Sequence, residues 1–73
     1  MDKSIYHSDY KVFVRRLKKD REDARLTQVQ VAEKLGSSQA YISKVESGQL
    51  RVDVIELKKF AKLYGRSTGY FLK

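Results

Sequence analysis

The chain has 73 residues, with 16 Lys and Arg against 9 Asp and Glu, a net charge of +7, no cysteine and one histidine. That length allows one domain without a separate effector domain, and the composition excludes disulfide staples, thiolate zinc sites and a metal site built on His7 alone. The charge predisposes the domain to a polyanion, and no apolar run approaches the ~18 residues of a membrane span or the core of a signal peptide, so a soluble intracellular protein is expected.

Residues 1–7 show no periodicity and read as a flexible N-terminal arm, leaving 8–73 as the folded domain. From Ser8 the pattern is helical. Tyr10, Phe13, Val14, Leu17, Arg21 and Ala24 recur at three- and four-residue steps on one face, while Lys11, Arg15, Lys18 and Lys19 point elsewhere. Ser8 is the expected cap, Asp9 suits the positive helix end, and the helix is expected to stop near Arg25.

The next helices share one set of punctuation. Thr27 with Gln30 forms a capping box backed by a Leu26–Val31 staple, and Gly36 closes that helix. Ser38 caps the following helix, which Gly48 closes. Asp53 with Glu56, stapled by Val52 and Leu57, opens a fourth helix that Gly65 ends. A last turn, Ser67 to Leu72, lays Phe71 or Leu72 against the body. Without strand-like alternation, Pro or repeats, the reading is an all-α, compact bundle of about five helices joined by short loops.

The stretch from Thr27 to Ser47 carries the functional signal. Val31, Ala32 and Leu35 make the inner face of one helix, Gly36 turns the chain, and Ile42 with Val45 make the inner face of the next. Two helices around a short glycine turn form a helix-turn-helix unit, expected over 27–47. On the second helix Gln39, Ala40, Ser43, Lys44 and Ser47 span about 140° of the circumference. Tyr41 and Glu46 flank them. Gln pairs bidentately with adenine, Lys reaches guanine and an Ala methyl meets the thymine methyl, so this face suits base edges in the major groove. An ordinary solvated helix face is the alternative, and the preceding helix and the net charge weigh against it.

The pattern Leu26-Thr27-Gln28, Ala32, Leu35-Gly36, Ser38, Ile42-Ser43, Glu46 and Gly48 resembles the Cro/C1-type (XRE) helix-turn-helix family of phage and bacterial repressors, over roughly Tyr10 to Leu72. The resemblance implies a lambda-repressor-like DNA-binding domain of five helices whose third enters the major groove, as a homodimer on a palindromic operator. It implies a cytoplasmic, nucleoid-associated protein of bacterial or phage origin. By position, Gln28 matches a glutamine that binds phosphate and buttresses the first base reader. Gln39 matches that reader, and Ala40 and Lys44 match further base contacts. Ser38 and Arg51 look like phosphate contacts, and Arg21 with Glu46 matches an arginine–glutamate pair. Ser43 serves several bases, and Tyr41 either packs on the preceding helix or reaches a phosphate. Three departures stand out: Arg25 where the family often has Gly, Val52 where Pro is common in the loop, and Arg66 where an apolar residue is common.

The leading expectation is therefore a sequence-specific regulator of double-stranded DNA, a repressor or autoregulatory switch. The alternative is a protein-interaction module, an antitoxin or bridging coactivator with a protein partner. RNA binding has less support, since the chain shows no RNP-type aromatic pattern and no GxxG loop. No nucleophile–base pair, metal-ligand spacing or phosphate-cradling glycine loop is visible, so neither enzyme activity nor a cofactor is expected. His7 reads as an exposed tail residue, Tyr10 and Tyr64 read as core, and Tyr6 and Tyr70 stay undetermined.

Overall fold

A computed structural model describes residues 3–72, with side chains for residues 10–71. The side chains of Tyr6, His7, Ser8, Asp9 and Leu72 lie outside those described. Among the described residues the chain forms five helices and no strand: α1 (Lys3–Asp23), α2 (Gln28–Leu35), α3 (Gln39–Glu46), α4 (Val54–Tyr64) and α5 (Thr68–Leu72). No described helix is long and apolar enough to cross a membrane.

The sequence places the start of α1 too late. The helix opens at Lys3, so Ser8 sits inside it rather than at its cap, and residues 3–7 continue α1 backwards. No Gly or Pro interrupts Lys3–Asp23, so the backbone meets no stop where the apolar periodicity begins. The other starts fall at the residues read for them, although at Asp53 only half of the expected reciprocal pair forms and the Glu56 carboxylate turns to Lys59 instead. Thr27 and Gln30 form the full capping box, with Gln30 N–H donating to Thr27 Oγ1 and Thr27 N–H to Gln30 Oε1. Ser38 accepts from the Tyr41 amide, Asp53 from the Glu56 amide, and Ser67 from the Tyr70 amide.

The helix ends share one geometry. At Gly36, with φ 66° and ψ 36°, the Gly36 amide donates to the Glu33 carbonyl and the Ser37 amide to Ala32. This paired closure needs a left-handed residue, which glycine reaches without strain. The end of α1 repeats it with a side chain in place: Arg25 has φ 59°, its amide donates to Glu22 at 3.0 Å, and Leu26 donates to Arg21 at 3.1 Å.

The core joins all five helices: Phe13 and Leu17 from α1, Val31 and Ala32 from α2, Ile42 and Val45 from α3, Leu57, Phe60 and Ala61 from α4, and Phe71 from α5. Tyr10, Val14, Leu26, Leu35 and Val52 pack against it. Phe71 meets Phe13 edge-on at 6.1 Å and is 1% exposed, so it carries the last turn into the body. Ala24, placed by periodicity on the inner face of α1, is exposed because the helix has already ended. The buried position one turn earlier is Asp20, only 3% exposed. Its carboxylate accepts from Arg66 Nε and from the Tyr70 hydroxyl, each at 3.3 Å. Arg66, the departure from an apolar residue, therefore ties the last turn to α1, and its guanidinium also lies 4.4 Å from the Tyr70 ring centroid. Arg16 adds a hydrogen bond to the Tyr70 carbonyl at 2.8 Å.

Candidate nucleic-acid interface

The inner and outer faces of α3 separate as its periodicity requires. Ile42 and Val45 are fully buried, while Gln39, Ala40, Lys44 and Ser47 are exposed and Ser43 is half-buried. The apolar pair is buried in the core where α3 packs on α2 and α1, so it sets the rotation of the helix and leaves the opposite arc in solvent. Ser38 stands exposed at the N-terminus of α3, where its hydroxyl is already engaged by the Tyr41 amide. The neighbouring amide groups and positive dipole end favour an anion there.

Behind this face runs a connected set of polar side chains. The Arg21 guanidinium donates to both oxygens of Glu46, Nε to Oε2 at 2.7 Å and Nη2 to Oε1 at 3.0 Å, and Nη1 donates to the Leu26 carbonyl at 2.9 Å. The side chains of Arg21 and Glu46 are 12% and 5% exposed, so this is an interior pair and not the weak surface bridge that residue type alone suggests. The Glu46 hydrogen bond pushes the Arg21 guanidinium still further above its ordinary range. Gln28 Nε2 then donates to Glu46 Oε1 at 3.1 Å, and Gln39 Nε2 donates to Gln28 Oε1 at 2.7 Å. Gln28 thus holds Gln39 from behind, at the position where the resemblance expects a buttress. Periodicity does not reveal that the buttress is anchored on Glu46, because the three residues come from two helices and opposite edges of the unit.

The loop after α3 is tied down from α1. The Tyr10 hydroxyl donates to the Leu50 carbonyl at 2.9 Å, and the Arg51 guanidinium stacks 4.4 Å from the Tyr10 ring centroid. Stacking on its face leaves the in-plane N–H edge of Arg51 for an anion. Tyr10 is thus half core and half loop anchor, a role its apolar spacing conceals.

Tyr41 is half-buried. Its ring lies against the core and lines a groove of about 370 Å³ with Leu35, Leu50, Arg51, Asp53 and Glu56. Burial, followed by the negative charges of Glu56 and Asp53, pushes its hydroxyl above the ordinary tyrosine range. Of the eight expected contacts, then, Gln39, Ala40, Ser43 and Lys44 share one helix face, Gln28 and Ser38 border it, Arg51 lies in the following loop, and Tyr41 turns inward.

A helix-turn-helix family model matches residues 17–71, from the middle of α1 through α5. No curated protein matches the chain.

Proposed function

The chain belongs to the Cro/C1-type helix-turn-helix family of DNA-binding regulators, and on that premise we propose that it is a sequence-specific repressor or autoregulatory switch. In this reading α3 enters the major groove with Gln39, Ala40, Ser43 and Lys44 towards base edges, and Gln28, Ser38 and Arg51 engage phosphates. The observation that carries it is the exposed arc of α3 with its leading glutamine held at 2.7 Å by Gln28. A solvated helix face has no need of a hydrogen-bonded buttress behind one of its side chains; a base-reading face does, because bidentate pairing demands a fixed amide plane.

Division of labour follows from charge. The net charge of +7 supplies sequence-independent attraction to phosphate, and the lightly charged face of α3 supplies choice. The protein acts as a homodimer on a palindromic operator, with half-site centres ~10–10.5 bp apart. Support for the second copy comes from Val54 and Ile55, which open α4 beyond the α3–α4 loop and remain 62% and 55% exposed. The DNA-reading role places the protein in the cytoplasm, on the nucleoid or a phage genome.

Selection of bound duplexes from a random pool, run at two salt concentrations, tests this. A palindromic motif at both salts, with overall affinity falling steeply at the higher one, is the expected result. Failure to enrich any motif at either salt refutes the assignment.

A further inference from the structure

The polar side chains behind α3 have a direction as well as a position. Glu46 accepts from Arg21 on both oxygens, so its carboxylate has only lone pairs to offer Gln28. Gln28 must turn its NH₂ to Glu46, which it does at 3.1 Å, and its carbonyl oxygen is left facing α3. An oxygen there accepts only from the NH₂ of Gln39, as it does at 2.7 Å. One hydrogen of Gln39 Nε2 is thereby committed inward, while the second hydrogen and Oε1 remain for the groove. That outward pair, one donor beside one acceptor, complements adenine, which presents the N7 acceptor and the N6 donor. With the relay reversed, Gln39 would give its oxygen to Gln28 and present only N–H donors, the complement of the guanine N7 and O6 acceptors.

We propose that the part-buried Arg21–Glu46 pair is a specificity-determining element: Glu46 sets the hydrogen-bond polarity of Gln28 and thereby selects adenine over guanine at the base pair read by Gln39. Glu46 is a positioning residue, acting through two amides without touching DNA. The inference rests on the reading of α3 as the groove helix, and it goes further in assigning base choice to a residue on the inner edge of that helix. Arg21 contributes by donating to both carboxylate oxygens, which fixes the carboxylate plane against Gln28. Its Nη1 bond to the Leu26 carbonyl fixes the guanidinium plane from the other side.

Two variants separate polarity from folding. Glu46→Gln keeps the shape but offers Gln28 either a donor or an acceptor, so both relay directions become available. The double variant Arg21→Met/Glu46→Met replaces an interior ion pair with apolar side chains, a change that is often neutral or stabilising for folding. Each is compared with the parent and with Gln39→Ala by random-pool selection and by thermal unfolding. The parent is expected to prefer adenine at one position by roughly 5- to 150-fold, the range of one good bidentate contact. Gln39→Ala loses that preference. Both Glu46 variants are expected to lose it at the same position, with guanine rising, while the rest of the motif persists and the double variant unfolds no earlier than Glu46→Gln. Retention of the adenine by either Glu46 variant, with Gln39→Ala losing it, overturns the inference and leaves the DNA-reading role standing. So does uniform weakening of every position, which would make the pair purely structural. A parent that enriches no motif overturns the DNA-reading role itself and the inference with it.

Discussion

Arg25 allows the turn between α1 and α2 to be tested quantitatively. It is the non-glycine residue with positive φ among those described, at 59°, and it closes α1 with the same paired amide bonds that Gly65 uses to close α4. A Cβ in the left-handed region costs about 1–2 kcal/mol. Arg25→Gly removes that cost but frees the unfolded chain, returning about 0.4–1 kcal/mol. The net expectation is a stabilisation of about 0.5–1 kcal/mol, or a rise in Tm of roughly 2–8 °C for a domain of this size. Arg25 is exposed, so no buried contact is lost, and removing one cation from a chain of net charge +7 acts in the same direction. The mirror experiment is Gly65→Ala. Gly65 has φ 67°, and a Cβ there would meet no atom within 4 Å, so its cost is backbone strain alone. It should lose about as much as Arg25→Gly gains. Urea and thermal unfolding followed by helical circular dichroism measure both, with an unchanged m-value showing that only stability moved. Arg25→Gly proving no more stable than the parent, while Gly65→Ala is destabilised, would refute stored strain at Arg25.

Further outcomes follow from the site and the core. Lys44→Ala should cost about 1–3 kcal/mol of DNA affinity and relax one base pair, whereas Arg51→Ala should weaken all sequences alike and reduce the salt slope by about one; titrations on matched and mismatched duplexes distinguish them. Tyr64 has a buried hydroxyl without a hydrogen-bond partner among the described residues, so Tyr64→Phe should stabilise the fold by about 1 kcal/mol in denaturant titrations. Burial first, and the Glu46 charge second, raise the Tyr64 pKa; its contribution is therefore intact below the ordinary value of about 10 and is lost as pH rises beyond it. Tyr64→Phe should accordingly flatten the alkaline loss of stability, measured as ΔG against pH. Asp20→Ala leaves Tyr70 and Arg66 without their shared acceptor and should cost about 1–3 kcal/mol, with hydrogen exchange rising first in α5. Ile55→Asp should shift sedimentation towards monomer and reduce affinity for a palindrome far more than for a single half-site.

Much of this protein is legible in the order of its residues because its decisive signals are local. Thr27, Ser38 and Asp53 sit three residues before the amides they cap, and Gly36 and Gly65 directly follow the last residues of the helices they close. Such pairings involve neighbours a few residues apart, so chain order contains them whole. The separation of Ile42 and Val45 from Gln39, Ala40 and Lys44 is equally local, being a consequence of helical pitch. The start of α1 resisted the same reading because its expected cap lay inside a continuous helix. Tertiary structure decided what depends on residues far apart in sequence. Asp20 looks like one more charged residue on a charged helix until α5 brings Arg66 and Tyr70 to it. Tyr41 meets the charges of Glu56 and Asp53 only because the fold brings α4 and its cap to its side. The same holds for the exposed face of α3: residue types and spacing single out Gln39 as a candidate, but the hydrogen-bond polarity behind it comes from Arg21, Glu46 and Gln28 meeting across three helices. Hydrogen-bond direction belongs to a set of groups in contact, and only the fold puts them in contact.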